Sequence, residues 1–152
     1  MGPLGCFVAL LLAMTAKIPE SLSRSMQSFL LVFLGAGLGG ALRHGVNMVA
    51  VRVAEEGFPW GTLFINAAGS LVMGLFAGFF AFKAGEGSTQ SLRLFLMTGV
   101  LGGFTTFSAF SLETILLWER GEAASALLYV VASVVLAVVG LFLGLSVVRS
   151  FS

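Results

Sequence analysis

Four long apolar stretches, separated by short polar connectors, make up most of this chain. They run over residues 28–51, 62–82, 94–118 and 123–148. A helix needs about 20 mostly apolar residues to cross a bilayer core, and each stretch meets that length. Because the connectors are too short to form a soluble domain, the pattern predicts an all-α bundle of four transmembrane helices.

Residues 1–25 precede these stretches and have a different character. The run from Leu4 to Met14 is apolar but too short to span, and no basic segment stands before it as in a secretory signal peptide. We interpret residues 1–25 as a peripheral or dispensable extension of a membrane domain at 26–152. A helix lying in the membrane interface is the alternative.

Composition and charge narrow the class of protein further. Hydrophobic residues make up 58% of the chain and charged residues 10%, whereas a soluble domain carries about 25% charged residues. The net charge of +1 provides no basic face for nucleic acid. Counted from Met26, Lys and Arg are balanced across the predicted membrane, with Lys83, Arg93 and Arg149 on one side and Arg43, Arg52 and Arg120 on the other, whereas Lys17 and Arg24 would tip the balance if residues 1–25 are retained. Because a positive bias normally sets orientation, this balance predicts insertion both ways up and pairing as an antiparallel homodimer.

Each stretch contains two glycines spaced four residues apart. These are Gly35 and Gly39, Gly74 and Gly78, Gly99 and Gly103, and Gly140 and Gly144. This spacing places a pair on one helix face and lets another backbone approach closely. The pattern predicts tight helix crossings; the general glycine richness of membrane helices is the alternative.

The third stretch contains the least ordinary segment, GVLGGFTTFSAFSLE, from Gly99 to Glu113. Two adjacent glycines followed by two threonines predict a broken helix, and the carbonyls freed by a break are hard oxygen ligands for a small cation such as sodium. Phe107 and Phe110 share a face with nearby hydroxyls. The positive edge of an aromatic ring can stabilise an anion, although ordinary packing is the alternative.

Other polar side chains lie inside the predicted spans. Asn66 has an amide that can donate two hydrogen bonds, with helix-to-helix contact as the alternative role. Tyr129 and Ser133 form a polar strip one turn apart, and Glu113 is the only carboxylate near a span interior. Arg43 either draws anions into a vestibule or reaches the lipid headgroups.

From Met26 to about Arg149 the chain resembles the Fluc (CrcB) fluoride channels. The matching elements follow in order: GAGLGGALRHGVN, GTLFINAAGSLVMG, GVLGGFTTFSAFSLE, and the spaced Tyr129 and Ser133. The resemblance implies a passive, fluoride-selective channel rather than an enzyme, exporting fluoride across the cell (inner) membrane. It also implies an antiparallel, dual-topology homodimer with a broken third helix, two pores at the subunit interface and a structural sodium ion at the dimer centre.

The same resemblance assigns the ion path. Phe107 and Phe110 match the paired phenylalanines that contact fluoride, Asn66 matches the pore asparagine, and Arg43 matches the vestibule arginine. Gly102 matches a position whose backbone carbonyl holds sodium.

Thr105 matches the second sodium-binding carbonyl, and Ser108 and Ser133 match members of a track of hydroxyls. Tyr129 belongs with them in the predicted pore, and Glu113 matches the acidic residue near the track. The chain departs from the family pattern at residue 109, where alanine replaces a frequent threonine, and at residue 44, where histidine replaces a frequent tyrosine. The first departure removes one hydroxyl from the predicted track.

Two other classes of protein are rivals. A small multidrug exporter is also a four-helix, dual-topology dimer, but it needs a glutamate in its first span, and residues 28–51 contain none. An intramembrane enzyme needs a nucleophile beside a base, whereas His44, the one histidine, lies next to Arg43 and far along the chain from the Ser/Thr cluster.

Overall fold

The computed structural model describes residues 20–54, 57–82 and 87–151, and all regular elements in these ranges are helical. The elements are α1 (Glu20–Val53), α2 (Trp60–Phe82), α3 (Gly87–Arg93), a π-helical segment (Leu94–Leu101), α4 (Gly102–Phe104), α5 (Phe107–Glu119) and α6 (Ala123–Ser150). The all-α prediction is therefore confirmed for the described residues. Most of the predicted extension, residues 1–19, lies outside them.

The chain divides into two compact units, Met1–Leu30 and Leu31–Ser152. In the first unit the described residues are the opening turns of α1, where Ser28 Oγ donates to the carbonyl of Arg24 at 3.0 Å. All candidate site residues belong to the second unit.

Four helical stretches are long and apolar enough to cross a membrane: Leu22–Val53, Trp60–Ala81, Thr89–Glu119 and Ala123–Ser150. The predicted count of four is confirmed. The connector predicted to end at Arg93 is shorter in the structure, because α3 begins at Gly87 and runs directly into the third span.

Local sequence explains where the second and fourth spans begin. Pro59 stands immediately before α2, a position that suits its fixed φ and its missing N–H. Gly57 has a φ of +111° in the preceding connector, and Gly121 has a φ of +80° in the turn between α5 and α6. Both are conformations that residues with a side chain rarely adopt.

Glycines set the distance between neighbouring helices, as their spacing predicts. A Cβ placed on Gly35 of α1 would lie 2.9 Å from the Cα of Gly99 in the π-helical segment. A Cβ placed on Gly144 of α6 would meet the carbonyl of Leu71 in α2. The first span therefore crosses the third, and the second crosses the fourth, at backbone contact distance.

The core at one end of the unit lies between α2, α5 and α6. Leu63, Leu117, Ala126 and Tyr129 form its buried cluster, and Phe58 from the connector packs against them. Large apolar side chains elsewhere on α6 are exposed, for example Leu127 and Val138. An apolar exterior of this kind is what a lipid environment favours.

Candidate functional site

The third span changes its backbone conformation at two threonines. Thr105 has φ −76° and ψ 155°, and Thr106 has φ −152° and ψ 114°, both extended. The Oγ1 of Thr106 accepts a hydrogen bond from the backbone N–H of Ala109 at 3.2 Å. This is the bond of an N-cap residue, and it explains why α5 starts at Phe107.

The side chain of Asn66 in α2 provides hydrogen-bond partners for the extended backbone at Thr106. Its Oδ1 accepts from the N–H of Thr106 at 2.9 Å, and its Nδ2 donates to the carbonyl oxygen of Thr106 at 3.1 Å. The pairing fixes the orientation of the amide and uses one of its two Nδ2 protons. A backbone amide deep in a membrane needs such a partner, because lipid offers none.

Carbonyls at the break lose their usual helical donors, and those of Gly102 and Thr105 are two of them. In a continuous helix the N–H of Thr106 would donate to the carbonyl of Gly102, and the N–H of Ala109 to that of Thr105. Here the first donates to Asn66 and the second to the Thr106 hydroxyl. The hydroxyl of Thr105 donates back to the carbonyl of Leu101 at 2.9 Å. The carbonyls of Gly102 and Thr105, the two predicted sodium ligands, are therefore among the carbonyls at the break that lack their helical donors.

A cavity of about 280 Å³ lies beside these threonines. Among its lining residues are Asn66, Phe107, Phe110 and Ser133. The Oγ of Ser133 is buried and, among the described residues, has no hydrogen-bond partner. The cavity therefore joins four predicted pore residues from three helices in one mostly apolar space, which Ser70, Thr105 and Thr106 also line.

The two phenylalanines lie next to each other at this cavity. Their ring centroids are 5.4 Å apart with an interplanar angle of 45°, and Phe110 lies 5.3 Å from the ring of Tyr129. Phe110 is half-buried, whereas Phe107 is 79% exposed. Phe107 thus forms the open rim of the cavity and Phe110 its wall.

Glu113 and Tyr129 form a second polar cluster behind that wall. The hydroxyl of Tyr129 donates to Glu113 Oε2 at 2.7 Å, and the hydroxyl of Thr62 donates to Glu113 Oε1 at 2.8 Å. Thr62 and Tyr129 are both almost completely buried. The carboxylate therefore receives one hydroxyl on each oxygen, which lowers the cost of holding it inside the bundle.

Sequence reasoning missed Thr62, although a signal was present. Thr62, Asn66 and Ser70 are each four residues apart on α2, and this spacing places them on one face. Tyr129 and Ser133 form the matching stripe on α6. Asn66, Ser70 and Ser133 of these stripes line the cavity, whereas Thr62 and Tyr129 bond to Glu113.

The remaining predicted residues lie at different distances from this site. The hydroxyl of Ser108 is exposed and lies 3.2 Å from that of Thr106, so it connects to the site through one hydroxyl. Arg43 is half-buried on α1 and lines none of the described cavities. A single chain therefore joins most of the predicted pore residues but leaves Arg43 apart.

Most of the chain matches a known protein family. The family CrcB-like protein, Camphor Resistance (CrcB), matches residues 30–145. The chain belongs to this family. The matched range includes all of the predicted site residues, from Arg43 to Ser133.

Relatives of the CrcB-like chain are similar over almost their whole length. It is 58% identical over 125 residues to the fluoride-specific ion channel FluC of Rhodopseudomonas palustris strain BisB5, covering 82% of this chain and 99% of the relative. It is 60% identical over 122 residues to FluC 2 of Nitrobacter hamburgensis, covering 80% and 97%. It is 60% identical over 127 residues to FluC of Beijerinckia indica subsp. indica, covering 84% and 100%. With its four apolar helices, this CrcB-like chain is a multi-pass membrane protein.

Proposed function

We propose that the chain is a fluoride-selective passive ion channel and not an enzyme. The observation that carries this proposal is the 58% identity, over 99% of its length, to a relative named a fluoride-specific ion channel. The cavity lined by Asn66, Phe107, Phe110 and Ser133 supports it, because these groups suit a small anion.

Fluoride must give up strong hydration to enter so apolar a space. The second Nδ2 proton of Asn66 and the hydroxyl of Ser133 are donors for the ion. The edges of Phe107 and Phe110 add weak, positively polarised contacts. Several weak contacts in place of one tight site hold an anion long enough to select it while still allowing it to leave.

The groups around the cavity have supporting roles in this proposal. Glu113 keeps Tyr129 and Thr62 oriented through its two short hydrogen bonds. Ser108 extends the track of hydroxyls beyond Thr106. Arg43 raises the local fluoride concentration at a vestibule through its positive charge.

The channel is, in this proposal, an antiparallel, dual-topology homodimer with two pores at the subunit interface. In one chain the cavity is open on the side of Phe107, which is 79% exposed, and Ser108 is exposed beside it. A second chain would cover that open side, and the balance of Lys and Arg counted from Met26 allows the two orientations that an antiparallel pair needs. The dimer exports fluoride across the cell (inner) membrane.

A structural sodium ion at the dimer centre fits the broken third helix. The carbonyls of Gly102 and Thr105 would hold it, since the N–H groups that a continuous helix supplies to them are engaged by Asn66 and Thr106. One chain offers two such oxygens and two chains offer four, which are the hard ligands that a small cation prefers. The ion would supply positive charge that compensates the exposed carbonyl dipoles.

Fluoride efflux from liposomes tests the proposed function. Purified protein reconstituted into KF-loaded liposomes should release fluoride, read with a fluoride electrode, on addition of a potassium ionophore. Chloride-loaded liposomes are the control and should release their anion far more slowly. Equal rates for the two anions, or no fluoride release, would overturn the proposal.

A further inference from the structure

Arg120 connects two turns that are far apart in the chain. Its Nη2 donates to the carbonyl oxygen of Gly57 at 2.7 Å, and its Nε lies 3.2 Å from Oε1 of Glu122. These two contacts fix the guanidinium plane between the α5–α6 turn and the connector that precedes α2. Gly57 is held there with a φ of +111°, a conformation open to few other residues.

The residue after Gly57 is packed against the candidate site. The ring of Phe58 stands edge-on to that of Tyr129, with centroids 5.6 Å apart and an interplanar angle of 84°. It also lies 4.6 Å from the ring of Trp60. Tyr129 in turn donates to Glu113. A continuous series of contacts therefore leads from Arg120 to the carboxylate behind the cavity wall.

Apart from the packing of Phe58 against the buried cluster, few hydrogen bonds hold the described part of this connector. Among its described residues, the backbone bonds of Phe58 and Pro59 run forward into α2, from Trp60 N–H and Leu63 N–H. The bond from Arg120 is the long-range hydrogen bond that reaches Gly57. A small cavity of about 220 Å³ also brings Arg120, Phe58 and Glu113 to one space.

We propose that Arg120 is a positioning residue that holds Phe58 against Tyr129 and thereby fixes the Tyr129–Glu113–Thr62 cluster for ion passage. The effect on transport rests on the proposed channel function, whereas the effect on Phe58 does not. The competing role for Arg120 is simple attraction of anions by its charge. Lysine distinguishes the two, because it keeps the charge but lacks the planar two-point geometry of the guanidinium.

The test uses Trp60 as a reporter of the Phe58 ring. In a Trp118→Phe background Trp60 is the only tryptophan, since the chain contains two. Arg120→Ala and Arg120→Lys should both shift Trp60 emission and increase its quenching by iodide. Both should lower fluoride efflux by between about twofold and tenfold, the range expected for loss of one aromatic contact. Arg149→Ala, an exposed arginine at the other end of α6, is the matched control and should change neither readout.

Further variants separate the possible outcomes. Phe58→Leu should lower efflux to a similar degree, and combining it with Arg120→Ala should add little, because both act through one contact. Full rescue by lysine, or lower efflux with unchanged Trp60 emission, would assign Arg120 a charge role and overturn the proposal. If the parent protein carries no fluoride, the proposed channel function fails. Trp60 quenching then still decides whether Arg120 holds Phe58.

Discussion

At the scale of single residues, the side chain of Asn66 has two roles. It pairs with both backbone groups of Thr106 and keeps one Nδ2 proton for the cavity. Asn66→Asp removes the donor to the Thr106 carbonyl and adds a negative charge beside the proposed anion path. Leaving a buried carbonyl unpaired costs about 1–3 kcal/mol, so we expect the free energy of unfolding to fall by that amount. Fluoride efflux should fall by about tenfold or more.

Measurements of both quantities separate these two effects. Denaturant unfolding in detergent gives the loss of stability, and efflux from liposomes gives the loss of transport. Gln90→Glu, the same amide-to-acid change at an exposed position of α3, is the control and should leave both near the parent values. Parent-level efflux in Asn66→Asp would mean that Asn66 only joins the helices.

Phe110 provides a second prediction at this scale. Phe110→Ile keeps apolar bulk but removes the ring that faces both Phe107 and Tyr129 at about 5 Å. Because one polarised edge and two aromatic contacts are lost, we expect fluoride efflux to fall by about tenfold or more while the protein remains monodisperse. Phe142→Ile, an exposed phenylalanine of α6, is the control. Similar efflux in both variants would show that Phe110 is ordinary packing.

Candidate functional residues can be predicted from sequence when their chemistry is unusual for a membrane interior. Asn66 and Glu113 stand out because an amide and a carboxylate inside an apolar span need a reason. Thr62 did not stand out, because a threonine in a span can bond its own helix, and its bond to Glu113 joins residues 51 positions apart. A separation of 40 residues likewise hides the pairing of Asn66 with Thr106.

At the scale of helices, two glycines of the first span should respond in opposite ways to substitution by alanine. A Cβ on Gly39 would overlap the carbonyl of Val100, whereas a Cβ on Gly37 meets nothing within 4 Å. Gly39→Ala should therefore force α1 away from the third span and lower the midpoint of thermal unfolding. Gly37→Ala should leave it unchanged or raise it slightly, since alanine is the better helix former by about 1 kcal/mol. Thermal unfolding followed by circular dichroism compares them, and an equal loss in both would contradict the crossing at Gly39.

The number of membrane spans was predictable from sequence, but the backbone conformation of the third span was predictable only in part. Apolar length alone predicts four spans, because the bilayer sets that length. The glycine and threonine pairs indicate weak helix-forming residues, but the extended dihedrals depend on Asn66 from another helix. The π-helical segment Leu94–Leu101 was not predicted, since LFLMTGVL contains no local signal that distinguishes a wide turn from an ordinary one.

At the scale of the whole molecule, the proposed sodium ion predicts a dependence on the cation. If the carbonyls of Gly102 and Thr105 from two chains share one ion, replacing sodium by N-methylglucamine should weaken the dimer and lower efflux. Thr105→Val should have a smaller effect than Gly102→Leu, because the proposed ligand is the backbone oxygen, and leucine favours a continuous helix. Dimer content by gel filtration and fluoride efflux are measured in each cation. Identical values in sodium, lithium and N-methylglucamine would exclude a structural ion.

The proposed antiparallel dimer makes the most demanding prediction, because it concerns both orientation and contact. Arg93 and Arg120 lie near opposite ends of the third span, and counted from Met26 the three positive residues on each predicted side give neither orientation an advantage. In a Cys6→Ser background, cysteines introduced one at a time at Gln90 and Glu119, both exposed, should each react only partly with an impermeant maleimide in intact cells. A single orientation would instead label one position fully and the other not at all. When both cysteines are present, a bifunctional thiol reagent should link Gln90→Cys of one chain to Glu119→Cys of the other, since inversion brings these connectors to the same side. Links formed only between identical positions would show a parallel dimer.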